Sequence, residues 1–133
     1  MKKLLLLLII PIIVSAQVRL SYTIDEIKSE FSSSEYHMKT GVNHNKKYIS
    51  VDLEMATMIY YFNDDMKSDV NFIIPYNDTA SLFFIQYNNK VGTYVGKGKW
   101  VSKKAGYTVN IELIKPATGR SFFKWSYSEE YYK

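Results

Sequence analysis

The sequence predicts an α+β domain: an antiparallel sheet packed by two helices, in the order α-β-β-β-α-β-β-β. Three observations point there. One stretch spaces its apolar residues at the helical period, a second is an apolar run after a capping residue, and six others read as strands between turn residues. All 21 aromatic residues (12 Tyr, 7 Phe and 2 Trp) lie beyond residue 16. Cysteine is absent, so the chain must hold itself by packing these rings rather than by disulfides.

Ser21 to Phe31 reads as the first helix. Thr23 is placed to cap it, and Glu26 three residues on completes a capping box. Ile24, Ile27 and Phe31 share one face, while Asp25, Lys28 and Glu30 point elsewhere, and Ser32-Ser33-Ser34 ends the helix. From Tyr36 the period is two. Ile49, Val51 and Leu53 alternate with Ser50, Asp52 and Glu54, as in a half-exposed strand. Thr57 to Phe62 is a second strand with Met58, Tyr60 and Phe62 on one side. Asn63 to Met66 is a turn, Val70 to Ile74 a third strand, and Pro75 to Asp78 its stop.

Asp78 or Thr79 then caps a second helix through about Asn88, rich in Leu82, Phe83, Phe84 and Ile85, with Gly92 beyond it; a buried strand is the competing reading of this short apolar run. Trp100 to Ser102 opens further β structure, and Lys104-Ala105-Gly106 turns it. Tyr107 to Lys115 and Arg120 to Tyr127 form a hairpin joined by Pro116 to Gly119. The halves can be read as one helix-plus-meander unit written twice. Tyr48 to Leu53 lies against Tyr107 to Glu112, and Tyr60-Tyr61-Phe62 against Phe122 to Trp125. Chance similarity of alternating strands is the competing reading.

The first 16 residues read as a cleavable export signal. Lys2 and Lys3 precede an apolar run from Leu4 to Val14, and Val14-Ser15-Ala16 places tolerated residues before a cut between Ala16 and Gln17. The run is shorter than the roughly 20 residues a bilayer span needs. Without a cysteine after it, lipid attachment is excluded, and no second long apolar stretch follows. Residues 17–133 are then a single soluble domain, periplasmic or secreted. Losing Lys2 and Lys3 lowers the formal charge from +4 to +2, which argues against nucleic acid as a partner.

Few residues carry recognisable chemistry. His37 and His44 lack metal-pair spacing and read as surface histidines in a polar loop. Asn63, Asp64, Asp65 and Asp69 form the densest acidic cluster, but no calcium-loop pattern surrounds them. Neither a G-x-S-x-G nor a phosphate-binding glycine motif occurs. No catalytic residue, metal or cofactor is assigned.

The best binding hint is Lys97, Lys99, Lys103 and Lys104 around Trp100, with Tyr94 nearby. Basic residues among aromatics suit single strands, acidic glycans or anionic membrane surfaces. If residues 94–102 are one strand, Tyr94, Gly96, Gly98 and Trp100 share a face and leave a groove between two rings. If Gly96 to Gly98 is a turn, the favoured reading, the groove vanishes and Trp100 is core.

Tyr60-Tyr61-Phe62, Ile73-Ile74-Pro75, Tyr87-Asn88 and Trp100, with Gln17 directly after the signal, resemble small uncharacterised exported proteins of Bacteroidota. The resemblance spans roughly residues 57–114, implies an envelope or extracellular location, and carries no activity. The expected function is a non-enzymatic binding or interaction domain for a protein or glycan. The alternatives are a small envelope hydrolase, or a structural component pairing through an exposed strand edge.

Overall fold

The computed structural model describes residues 18–32, 36–104 and 107–129. The expected export signal with Ala16 and Gln17, the serines beyond Ser32 expected to end the first helix, and the turn expected at Ala105-Gly106 lie outside them. Among the described residues two helices, α1 (Ile24–Glu30) and α2 (Asp78–Val91), accompany eight strands. These are β1 (Lys39–Asn43), β2 (Lys46–Asp52), β3 (Ala56–Phe62), β4 (Ser68–Pro75), β5 (Thr93–Gly96), β6 (Lys99–Lys104), β7 (Tyr107–Ile114) and β8 (Phe122–Glu129). They form one antiparallel sheet in the order β1-β2-β3-β4-β8-β7-β6-β5. Among the described residues no helix is long and apolar enough to cross a membrane.

The α+β class and the two helices stand, but the strand order expected from sequence does not. Each helix is followed by four strands rather than three, and both additional strands, β1 and β5, are sheet edges. β1 is mostly exposed, and β5 has only four residues, interrupted by a register shift between Tyr94 and Gly96. An edge strand buries too little to impose alternation on its sequence. The strand pairing also corrects the alignment of the halves. The topological counterpart of β2 is β6, not β7, and that of β3 is β7, not β8.

Local signals set the helix ends. Thr23 Oγ1 accepts from the Glu26 amide, and Glu26 Oε1 accepts from the Thr23 amide, closing the expected capping box. The cap of α2 is Asn77, one residue earlier than expected: its Oδ1 accepts from the Ala80 amide at 2.9 Å. Gly92 caps the other end, its amide donating to the Asn88 carbonyl.

Both helices lie on one face of the sheet. Phe31 stacks on Tyr60 at 6.0 Å, Phe84 meets Phe123 at 6.0 Å, and Tyr87 stacks on Trp125 at 6.1 Å. The strand register carries one row of side chains across all eight strands on that face: Thr40, Ile49, Tyr60, Asn71, Trp125, Ile111, Trp100 and Tyr94. Its centre is core and its Tyr94 end reaches solvent.

On the opposite face Tyr48, Tyr61, Phe72 and Phe122 form a ladder across β2, β3, β4 and β8. Successive ring centroids are 5.7, 5.8 and 5.8 Å apart. With Ile59 and Ile74 beside them, β3 and β4 are apolar on both sides, and no described element covers this second face.

Residues 18–22 run along the β3–β4 end of the sheet. The Arg19 amide donates to buried Asn71 Oδ1, Ser21 N–H to the Ser68 carbonyl, and Ser68 N–H to the Tyr22 carbonyl. The Arg19 guanidinium grips the Glu30 carboxylate through Nε and Nη2 and lies over the Tyr22 ring.

Candidate functional site

The turn reading of Gly96 to Gly98 is what the structure shows. Gly96, Lys97 and Gly98 all have positive φ (96°, 54° and 71°), which reverses the chain between β5 and β6. Trp100 is core, 3% exposed. A recess nevertheless survives, because the aromatic pair is presented in a different way from the one expected. Tyr94 and Trp100 face each other across the β5–β6 pair, 5.2 Å apart and tilted by 59°, with the Tyr94 side 54% exposed.

Two hydrogen bonds fix this corner. The Gly98 amide donates to the Tyr94 hydroxyl at 3.0 Å, and the Trp100 indole N–H donates to Asn89 Oδ1 at 2.7 Å. The Leu113 amide also donates to the Gly98 carbonyl, clipping the turn to β7. Sheet, turn and helix are thus tied together around one depression of about 590 Å³. Its lining includes Ile85, Asn89, Tyr94, Lys97, Trp100 and Leu113.

A second depression of about 500 Å³ adjoins it, sharing Ile85, Leu113 and Lys115 and extending to Asp78, Ser81, Arg120 and Ser121. Together they make one open trough. Its helical wall is the stripe Asp78, Ser81, Ile85 and Asn89, spaced as one face of α2, while Ala80, Phe84 and Asn88 of the neighbouring face are buried against the sheet. From Asp78 to Asn89 that wall is about 16 Å long at 1.5 Å per residue. Lys97, Lys115 and Arg120 are exposed along the trough, and none makes an ion pair with a described residue.

The six residues singled out from sequence do not stay together. Tyr94, Lys97 and Trp100 meet in the trough. Lys99 and Lys103 alternate with Trp100 along β6, so they leave the sheet on the opposite, helix-free face. Of Lys104 only the backbone position, at the end of β6, is described. Sequence reasoning missed Ile85, Asn89, Leu113, Lys115 and Arg120. The Ile85–Asn89 spacing of four was a visible signal of a shared helix face. Nothing local announced that β7 and the β7–β8 loop would lie beneath it.

The other candidate chemistry resolves into structure. Asn63 Oδ1 accepts from the Asp65 and Lys67 amides, and Asp69 pairs with Lys46 at 3.0 Å, so the acidic cluster is a closed turn. No cluster of three metal-ligating side chains occurs among the described residues. His37 and His44 are exposed, both at positive φ, with no hydrogen-bond partner among the described residues. Comparison with protein-family models, curated proteins and solved structures gives no match to this chain.

The first helix-plus-meander unit holds a smaller counterpart of the trough. A depression of about 270 Å³ lies between α1, β1 and β2, lined by Ile24, Lys28, Val42, Lys47, Ile49 and Phe62. Ile49 and Thr40 stand in the row where the second unit has Trp100 and Tyr94. The aromatic corner belongs to one half alone.

Proposed function

We propose that this protein is an exported, non-enzymatic binding domain that holds its ligand in the trough between α2, the β5–β6 turn and the end of β7. The observation that carries the reading is the half-exposed Tyr94 ring, in a trough with three cations that pair with no described residue and with the apolar side chains of Ile85 and Leu113. Tyrosine in such a place offers apolar area and a polar tip at low entropic cost. Export to the periplasm or medium rests on Lys2-Lys3, the Leu4 to Val14 run and the Ala16-Gln17 junction. The two helix-plus-meander units are read as a duplication in which only the second carries the aromatic corner.

A second reading, assembly through a strand edge, draws on the open flanks of the sheet. β5 presents exposed Tyr94 and Val95, and β1 exposed Val42. The short, bulged β5 blunts that edge, which favours the trough. A hydrolase has less behind it, since neither imidazole meets a carboxylate among the described residues.

Thermal unfolding of the exported protein against a panel of anionic and neutral small molecules tests the binding reading. Anionic compounds should raise the midpoint by a few degrees, and Lys97→Glu with Lys115→Glu should abolish the rise. No stabilisation, or equal stabilisation of the variant, rejects it.

A further inference from the structure

We infer that the occupant of the trough is an acidic oligosaccharide. Its carboxylates or sulfates meet Lys97, Lys115 and Arg120, and its ring faces lie on Tyr94, Ile85 and Leu113. This deepens the binding reading above and rests on it.

The first ground is the balance of donors and acceptors. Asn89 spends its oxygen on the Trp100 indole, which leaves its amide NH₂ as a donor beside the trough. The Tyr94 hydroxyl accepts from Gly98, and Lys97, Lys115 and Arg120 can only donate. Among the described residues Asp78 is the sole carboxylate in the lining of either depression. A ligand that satisfies this surface is rich in acceptors and negatively charged.

The second ground is shape. The recess is open and elongated, with cations distributed along it rather than gathered at one end. That suits a linear chain bearing repeated anionic groups better than a fatty acid, which needs an enclosed apolar hole and one charged mouth.

Other polyanions fit less well. An extended acidic peptide gains affinity by pairing its backbone with a free strand edge. β7, which lies under the trough, is already paired on both sides, with β6 and β8, and the free edge beside it, β5, has only four residues and a register shift. A single-stranded nucleic acid needs successive exposed rings to stack its bases. Here Trp100 is buried and Tyr94 stands alone. The faces of sugar rings, by contrast, need only one aromatic ring and a narrow apolar strip, both of which are present.

Calorimetric titration of the exported protein can decide. The probes are a galacturonate tetrasaccharide, a heparin-derived tetrasaccharide and a neutral galactose tetrasaccharide, with a tetra-aspartate peptide and a thymidylate tetranucleotide as competitors. At least one acidic sugar should bind, the neutral one at least tenfold more weakly, and the preferred acid tells carboxylate from sulfate. Lys97→Glu with Lys115→Glu should weaken the acidic sugar at least tenfold. Lys99→Glu with Lys103→Glu, the same charge change on the opposite face, should alter it less than twofold.

Equal losses in the two double variants would mean diffuse attraction and overturn the inference. Tighter binding of the peptide or the nucleotide would overturn it as well. If no acidic sugar binds while other anions still depend on Lys97 and Lys115, the glycan falls and the trough stands. If those anions also fail, both fall.

Discussion

Trp100 shows how one residue can be both core and site. Its indole face is packed in the sheet, and its N–H spends itself on Asn89, so the side chain shapes the trough without offering a free polar group to it. Asn88, the next residue back, is the opposite case. Its side-chain oxygen and nitrogen are buried with no hydrogen-bond partner among the described residues, as is the Trp125 indole nitrogen. An unpaired buried amide costs about 1–3 kcal/mol. Leucine has the same branched skeleton and a higher helix propensity. Asn88→Leu should therefore stabilise the protein by about 1 kcal/mol, read as a higher urea midpoint with an unchanged slope. A loss of stability would mean that the amide has a partner in solution.

At the scale of elements, the β5–β6 turn is the least negotiable piece of the site. Gly98 combines a φ of 71° with an amide bonded to Tyr94 and a carbonyl bonded to Leu113. A Cβ there would have room, its nearest neighbour being the Leu113 carbonyl oxygen at 3.4 Å, so the penalty is conformational rather than steric. Gly98→Ala should cost about 1–2 kcal/mol in a chemical denaturation experiment. A neutral outcome would show that the turn can relax.

The aromatic ladder belongs to this scale too. The rings stand tilted or edge to face, with interplanar angles of 46°, 84° and 62°, and corrugate the uncovered side of β2, β3, β4 and β8. Gly41 gives the ladder its end: a Cβ would lie 2.6 Å from the Tyr48 hydroxyl, so glycine lets that ring fold over β1.

For the molecule as a whole, the decisive junction is Tyr60, where α1, the sheet and the segment around Arg19 converge. Burial pushes its phenol far above the ordinary tyrosine range; the Arg19 charge pulls the other way and Glu30 adds to the rise. Unfolded tyrosine releases its proton near about pH 10. Folded Tyr60 keeps it well beyond that, so above pH 10 the unfolded state binds fewer protons and stability falls as pH rises. The contribution is complete below pH 10 and declines by about 1.4 kcal/mol per pH unit above it. Tyr60→Phe should flatten the alkaline limb of a pH–stability profile by that slope, whatever its cost at neutral pH. Identical limbs would contradict the assignment.

Read alone, the sequence determined what depends on neighbours a few residues away. The capping box at Thr23, the alternation of β2, the strands β3 and β4, the hairpin of β7 and β8 and the Gly96–Gly98 turn are all local physics, and all are present. The edge strands β1 and β5 were illegible because burial writes a pattern into a strand and an edge is scarcely buried. Tertiary structure alone decided that β4 pairs with β8, which joins the two units into one sheet. α2 packs on Phe123 and Trp125 of β8, Tyr94 and Lys97 share one recess with Lys115, and Lys99 and Lys103 face the other way. A run of basic residues states how much charge is present. Only the pleat of the strand decides on which face each one acts.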